Sequence, residues 1–562
     1  METLTRCYVH GTGTRPLLGE TIGEQLAKQA ARRPDMTALI DRSRSVQLDW
    51  QTLDARVDGV AAGLLRLGLV PGDRIAIWAH NCADWTITQL AAARAGLVLV
   101  NVNPAARVAE VRDQLGMVGA RALIIQDRSR TSDYIAMARE LNPVLATAGE
   151  DASLNDALPD IRWVIRFGTG SINGFHNFED LPVSLEPADR ERLLAAKALV
   201  RFDDPVNIQF SNATGGKAAG ATLTHHNILN NGAIVGDTLR LGETDRVCIP
   251  VPLFHCFGMV MGNLACLVHG STMVYPGEAF DPMETLNCIS EHRCTAVYGV
   301  PAMFKAMLEH ERFNSVNLHT LRTGIMAGAP CPIETMRQVM SDMHMEQVVI
   351  AYGMTESSPV SFMSDVDDPV ERRVSTVGTI RPYTEVKIVD GDGQVVPPGV
   401  SGELCTRGYN VMRGYWNDPD LTRRVIDADG WLHTGDLAQI DEQGYCRIVG
   451  GIKDIVIRGG ENIYLTEVED FLTGHPAVAE AVVVGVPDPR LGEALCACLL
   501  REPGTTVDAD GIRAYCADSI AYYKVPRHIR VLDRFPDSTG RALKFLLREE
   551  SLRELGLESE SA

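Results

Sequence analysis

Short apolar runs alternate along the chain with longer stretches of helical periodicity. Arg74-Ile75-Ala76-Ile77-Trp78 and Ala122-Leu123-Ile124-Ile125 read as buried strands, and Ala55 to Leu67 reads as a helix. Repeated alternation of this kind predicts α/β layers built on parallel sheet. Val247 to Val268 contains no Asp, Glu, Lys or Arg, yet Pro250, Pro252, His255, Gly258, Gly262 and Asn263 interrupt it. The expectation there is a buried strand, a loop and a helix, and no membrane span. Around Val449 to Asp454 a strand-like run meets a Gly-Gly step, and about 110 residues with a strand and helix pattern of their own follow. Paired glycines permit the dihedral changes of a hinge. The chain is therefore expected to be an α/β protein with a large multi-sheet N-terminal domain, 1–452, and a small mobile α+β C-terminal domain, 453–562. Its 562 residues also exceed the ~250–300 at which a single core stops growing.

Composition narrows the partners. A net charge of −20 disfavours nucleic acid and anionic membrane, although a local basic patch can still serve an anionic ligand. The 13 cysteines contain no CxxC pair or other metal-ligand spacing, so reduced thiols, a cytoplasmic location and no bound metal are expected. Residues 1–30 lack the charged-then-apolar layout of a signal peptide.

The chemistry centres on Ser211-Asn212-Ala213-Thr214-Gly215-Gly216-Lys217-Ala218-Ala219-Gly220. Alone, this is a Gly/Ala-rich surface turn. Its flanks, Ile208-Gln209-Phe210 and Ala221-Thr222-Leu223-Thr224-His225-His226-Asn227, resemble the adenylate-forming superfamily of acyl-CoA synthetases, luciferases and adenylation domains. That family reads TSGTTGxPKG at this place. A loop holding β- and γ-phosphates needs converging N–H groups, hydroxyls and a cation. Here Asn212 replaces a hydroxyl residue, Ala213 a glycine, Gly215 a threonine, Ala218 the proline and Ala219 the lysine, while Lys217 lies two residues early.

The resemblance runs from about Leu18 to Leu547. Pro252-Leu253-Phe254-His255 is similar to the segment that closes one wall of the acyl pocket, whose other walls would be Tyr298, Gly299, Met326 and Ala327. A packed histidine beside apolar residues is the plainer alternative for His255. Gly328-Ala329-Pro330 and Ala351-Tyr352-Gly353-Met354-Thr355-Glu356 resemble the adenine-facing loop and the adenine-stacking strand end. Tyr352 offers a flat face, Thr355 a hydroxyl, and Glu356 the carboxylate that would hold Mg²⁺ with ATP. Gly430-Trp431-Leu432-His433-Thr434-Gly435-Asp436-Leu437 resembles the ribose motif, in which Asp436 accepts from both hydroxyls; Ile448 would lie beside the adenosine. Lys453-Asp454-Ile455-Val456-Ile457-Arg458-Gly459-Gly460-Glu461-Asn462-Ile463-Tyr464 resembles the mobile segment that lines the pantetheine tunnel. It implies a hinge at Lys453, CoA binding by Arg458, Gly459, Gly460 and Glu461, and a catalytic site at Gly459, Gly460 and His255.

Three departures fall on the adenylation side. They are the loop, Gly451 where the family has an arginine, and Arg541 where it has the catalytic lysine, in Asp537-Ser538-Thr539-Gly540-Arg541-Ala542-Leu543-Lys544. Loss of preorganised charge costs roughly 10²–10³ in rate per group. The pattern implies an acyl-CoA ligase that makes thioester from an acyl-adenylate and CoA, with Mg²⁺ not required and activation left to a separate adenylating enzyme. In this it resembles the non-adenylating CoA ligases of platensimycin- and platencin-type natural product biosynthesis. A complete ATP-dependent acyl-CoA synthetase, with Lys217 or Arg541 compensating, and a non-catalytic binder of acyl-adenylate or CoA remain the alternatives.

Overall fold

A computed structural model describes residues 4–129, 132–146, 158, 160–182, 186–212, 218–328, 331–451, 455–502, 504–517, 519–535 and 540–557. The expected strands are present as Arg74–Trp78 and Ala122–Gln126, paired in parallel. Ile75, Ala76, Ile77 and Trp78 are all buried, as in a parallel strand covered on both faces. The helix expected over residues 55–67 runs Trp50–Arg66 and begins where the Asp49 carboxylate accepts the Thr52 N–H. Helix Ala83–Ala95 is buried nearly all round, which its small alanines allow.

Among the described residues the large unit has three main sheets, besides the two-stranded pair Arg128–Ser129 and Ser132–Asp133. One has eight strands in the order His176–Asn177, Trp163–Phe167, Ala122–Gln126, Arg74–Trp78, Val98–Asn101, Pro205–Asn212, Ala218–Thr224 and Gly414–Tyr415. The second has nine, in the order Thr379–Ile380, Val360–Met363, Gln347–Gly353, Thr323–Ala327, Ala296–Gly299, Arg246–Cys248, Thr272–Tyr275, Thr37–Asp41 and Val46–Asp49. The third is five-stranded, from Tyr8–His10 through Thr384–Val389, Gly402–Gly408 and Leu432–Ile440 to Cys446–Gly451.

The apolar stretch 247–268 folds as strand Arg246–Cys248, a loop, π-helix Phe257–Leu264 and helix Ala265–His269. No helix among the described residues is long and apolar enough to cross a membrane. Buried amides pin the loop. Asn101 Nδ2 donates to Phe254 O (2.8 Å) and Asn207 Nδ2 to Asn101 Oδ1 (3.0 Å). Gln209 Nε2 donates to Asn207 Oδ1 (2.8 Å), and the Cys256 thiol donates to Gln209 Oε1 (3.1 Å). Each polar group therefore has the partner its burial demands.

The chain divides into two compact units. Residues 105–110 and 212–219 group with 450–562, and the remainder forms the larger unit. The expected boundary after residue 452, and Lys453 with it, falls on residues outside those described. The smaller unit has an antiparallel sheet of Glu461–Tyr464, Ile455–Arg458, Gly492–Arg501 and Val478–Asp488, with His528–Leu532 parallel to Gly492–Arg501. Its core gathers Val456, Ile463, Val483, Leu495 and Ile512.

Candidate active site

Strand Gln347–Gly353 lies parallel to Thr323–Ala327 and ends against antiparallel Val360–Met363. A Cβ at Gly353 would stand 1.8 Å from the Pro359 carbonyl oxygen, so only glycine fits this strand end. Tyr352 packs edge-on against Phe362, and its hydroxyl donates to Asp436 Oδ2 at 2.6 Å. Burial, and then the Asp436 charge, push the Tyr352 hydroxyl far above its ordinary pKa, so it remains a donor. Asp436 follows Gly435, whose φ is +74°, and its N–H donates to Thr434 Oγ1. Ile448 packs into the same apolar cluster as Tyr352. Three residues of the expected adenosine site thus converge from separate strands. Gly328 leaves strand Thr323–Ala327 at φ +85°; Ala329 and Pro330 lie outside the described residues.

Thr355 and Glu356 occupy the short turn Thr355–Ser357. Glu356 is buried, and its Oε1 accepts from Ser211 Oγ (2.7 Å) and from the Tyr415 hydroxyl (2.8 Å). Ser211 opens the loop motif, but neither its pairing with Glu356 nor that of Tyr415 is visible in sequence, since the partners stand 145 and 59 residues away. Ala219 is buried in strand Ala218–Thr224, a methyl where the resemblance has the lysine. Asn212 ends strand Pro205–Asn212, Gly451 ends Cys446–Gly451, and Arg541 begins the helix Gly540–Glu554. Ala213, Gly215, Lys217 and the Arg541 side chain lie outside the description. Lys544, three residues beyond Arg541, pairs with Glu469 at 3.0 Å.

The expected acyl walls divide between two faces of one sheet. Tyr298 is fully buried, stacks on Phe257 and pairs with Ile325, so Ile325 and Ala327 share its face. Gly299 pairs with Met326 on the opposite face. Met326 packs with Val297, Phe304 and Met336 in the core, and a Cβ at Gly299 would meet the Phe304 ring at 3.1 Å. The expectation that the Gly299 and Met326 side positions line a wall with Tyr298 is thereby corrected: strand alternation turns them away. His255 accepts the Phe257 N–H at Nδ1, and burial lowers its pKa to about 4. It is neutral at pH 7, which suits a packed wall and not a proton donor.

In the smaller unit, Arg458 and Glu461 face each other across a hairpin whose turn residues Gly459 and Gly460 have φ of +61° and +91°. Two positive φ values mark a two-residue primed turn, the reason both positions are glycine. Gly459 N donates to Leu491 O. Arg458 Nη1 donates to the Tyr523 and Val525 carbonyls at 2.8 and 3.0 Å. The expected phosphate-binding cation is thus partly engaged by backbone.

Burial raises the Glu461 carboxyl to about 7, against the pull of Lys524, which itself pairs with Glu467 and Glu110; Tyr523 also faces it. A raised carboxyl contributes stability that is complete below its unfolded pKa and lost as pH rises through about 7. Glu461→Gln should therefore be more stable than the parent at pH 8, relative to pH 4.5, by about 1–2 kcal/mol. Thermal unfolding at both pH values checks this; identical pH dependence in the two proteins would reject it.

The AMP-binding enzyme family matches residues 26–416. This chain belongs to that family. The AMP-binding enzyme C-terminal domain matches residues 467–540. Among relatives, YngI of Bacillus subtilis (strain 168), a protein ascribed acyl-CoA synthetase activity, is 42% identical over 97% of this chain and 99% of its own. The mitochondrial medium-chain acyl-CoA ligase ACSF2 of Danio rerio is 41% identical, covering 99% of this chain and 92% of its own. Among solved structures, a double mutant of o-succinylbenzoate CoA synthetase (MenE) from Bacillus subtilis, bound with its product analogue OSB-NCoA, is 25% identical. It superposes with a TM-score of 0.76 over 94% of this chain and 97% of that one. The α/β fold, with its large N-terminal and smaller C-terminal domain, is therefore that of an AMP-binding enzyme.

Proposed function

We propose that this AMP-binding enzyme is an acyl-CoA ligase that forms a thioester between an acyl group and CoA, and that it takes the acyl group as a preformed adenylate. The observation that carries the second part is Ala219, a buried methyl at the loop-lysine position, while Tyr352 and Asp436, the residues expected at the adenosine, are joined by a hydrogen bond. The CoA thiol attacks the acyl carbonyl of the mixed anhydride; the C–S bond forms, the C–O bond to phosphate breaks, AMP leaves and the thiol proton passes to solvent. This step needs an adenosine site, an acyl wall and a path for the thiol, for which His255, Tyr298, Ala327, Arg458, Gly459 and Gly460 are the candidates. It needs neither Mg²⁺ nor the missing lysines. A separate enzyme would then supply the adenylate, as in the natural-product pathways whose ligases the loop resembles. Thirteen unpaired cysteines suit a reducing compartment. Cytoplasm fits that need, whereas the Danio rerio relative is named mitochondrial.

The names of the full-length relatives favour a second reading, a complete ATP-dependent acyl-CoA synthetase, over the first. In that reading Glu356 would hold Mg²⁺ with ATP, and Lys217 or Arg541 would supply the charge that Ala219 lacks.

Octanoate with ATP, Mg²⁺ and CoA, against synthetic octanoyl-adenylate with CoA, separates the readings. The expected result is octanoyl-CoA from the adenylate only, with no octanoate-dependent exchange of pyrophosphate into ATP. Robust exchange overturns the adenylate-only part and selects the complete synthetase. Product from neither mixture, nor from the matching pairs with short-chain, long-chain and aromatic acids, leaves a binding protein.

A further inference from the structure

The third sheet places three different metal-ligating side chains on one face. Cys405 of strand Gly402–Gly408 stands directly opposite His433 of strand Leu432–Ile440. Glu403, two residues before Cys405, projects to the same side, and a register shift between Glu403 and Cys405 turns its carboxylate toward the imidazole. Glu403 Oε2 lies 2.9 Å and Cys405 Sγ 3.5 Å from His433 Nδ1, and one ligand atom from each of the three residues lies within 4.8 Å of the other two. No other such cluster occurs among the described residues.

A carboxylate, an imidazole and a soft thiol within one such sphere match the N, S and O donors of zinc, whose bonds of about 2.0–2.3 Å set tetrahedral ligands about 3.3–3.7 Å apart. The Cys405–His433 separation already fits, and Glu403 has only to withdraw by a few tenths of an ångström. Cys405 is buried, while His433 and Glu403 keep side-chain exposures of 33% and 24%, which leaves an open fourth position for water. Asp427 Oδ2, 3.6 Å from His433 Nε2, orients the ring from its other nitrogen.

We propose that Glu403, Cys405 and His433 bind a divalent transition-metal ion of the zinc type, and that its binding weakens the binding of AMP. Coordination replaces the Cys405 thiol proton, which leaves to solvent. The link to the nucleotide runs through Glu403 Oε1, which accepts the Gly435 N–H at 3.3 Å, one residue before Asp436. Drawing Glu403 onto a metal loosens that hold on the turn carrying the ribose carboxylate. This second clause rests on the adenosine site proposed above; the metal site does not.

Titration of the full-length protein with Co²⁺, followed by Zn²⁺, reads the site directly. One equivalent of cobalt should give a thiolate-to-metal charge-transfer band that zinc abolishes, that is absent in Cys405→Ala, and that needs at least ten-fold more cobalt in His433→Gln. No such band, or an equal band in Cys405→Ala, overturns the site. Calorimetric AMP affinity should fall at least three-fold when zinc is added to the parent and stay constant in Cys405→Ala. Equal AMP affinity with and without zinc in a parent showing the band overturns the coupling alone. A parent that shows the band and binds no AMP refutes the adenosine reading and leaves the metal site standing.

Discussion

Gly459→Asn should fold normally and lose about 10²-fold or more in kcat for thioester formation, with adenylate affinity nearly unchanged. The hairpin turn holds Gly459 at φ +61°, and asparagine is the side-chain-bearing residue that best tolerates this region. A Cβ there would touch Leu491 Cδ2 at 3.3 Å, the end of a flexible side chain that can give way. Leucine at Gly460 would be a poorer test, since φ +91° would add backbone strain to any obstruction of the thiol. Steady-state kinetics with octanoyl-adenylate and CoA, alongside a melting curve, settles the matter. A folded variant with the parent kcat would remove Gly459 from the thiol's path.

Asp436→Ala should weaken binding of AMP and of acyl-adenylate by about 1.5–3 kcal/mol, the range for a charged hydrogen-bond partner. The change removes the carboxylate expected at the ribose and also the acceptor 2.6 Å from the buried Tyr352 hydroxyl. Tyr352→Phe separates the two effects, because it deletes that hydroxyl and keeps the flat ring; its loss of affinity should be the smaller. Calorimetry on both variants provides the readout. Parental AMP affinity in folded Asp436→Ala would mean that adenosine binds elsewhere.

Much of this arrangement was legible because its signals are local. The buried strand Arg74–Trp78 is a continuous apolar run, and the interrupted stretch 247–268 announces strand, loop and helix by its own prolines and glycines. Tyr352 and Asp436 stood out within contiguous motifs, although their hydrogen bond spans 84 residues. What escaped was decided by pairing between distant strands. Met326 and Tyr298 read alike as apolar candidates, yet the registers Tyr298 to Ile325 and Gly299 to Met326 send them to opposite faces. Ser211 stands in the loop motif and Tyr415 reads as an ordinary strand residue, and only folding brings both hydroxyls to Glu356. Cys405 likewise meets His433 only through antiparallel register. Arg458 was legible as a cation, but not that the Tyr523 and Val525 carbonyls would occupy one of its nitrogens.

The amide relay under the loop before the π-helix bears on how an acid is selected. Asn101 grips Phe254 and Gln209 grips Cys256, so the residues on either side of His255 are fastened by the fold's own hydrogen bonds. On the proposed reading of His255 as a wall, an arriving acid would find few rotamers left to freeze there, and the ordering entropy of that wall has already been met in folding. Such a surface works as a mould. It recognises a shape it was cast to hold, and an acid of another shape must bend to it or be turned away before any bond is made.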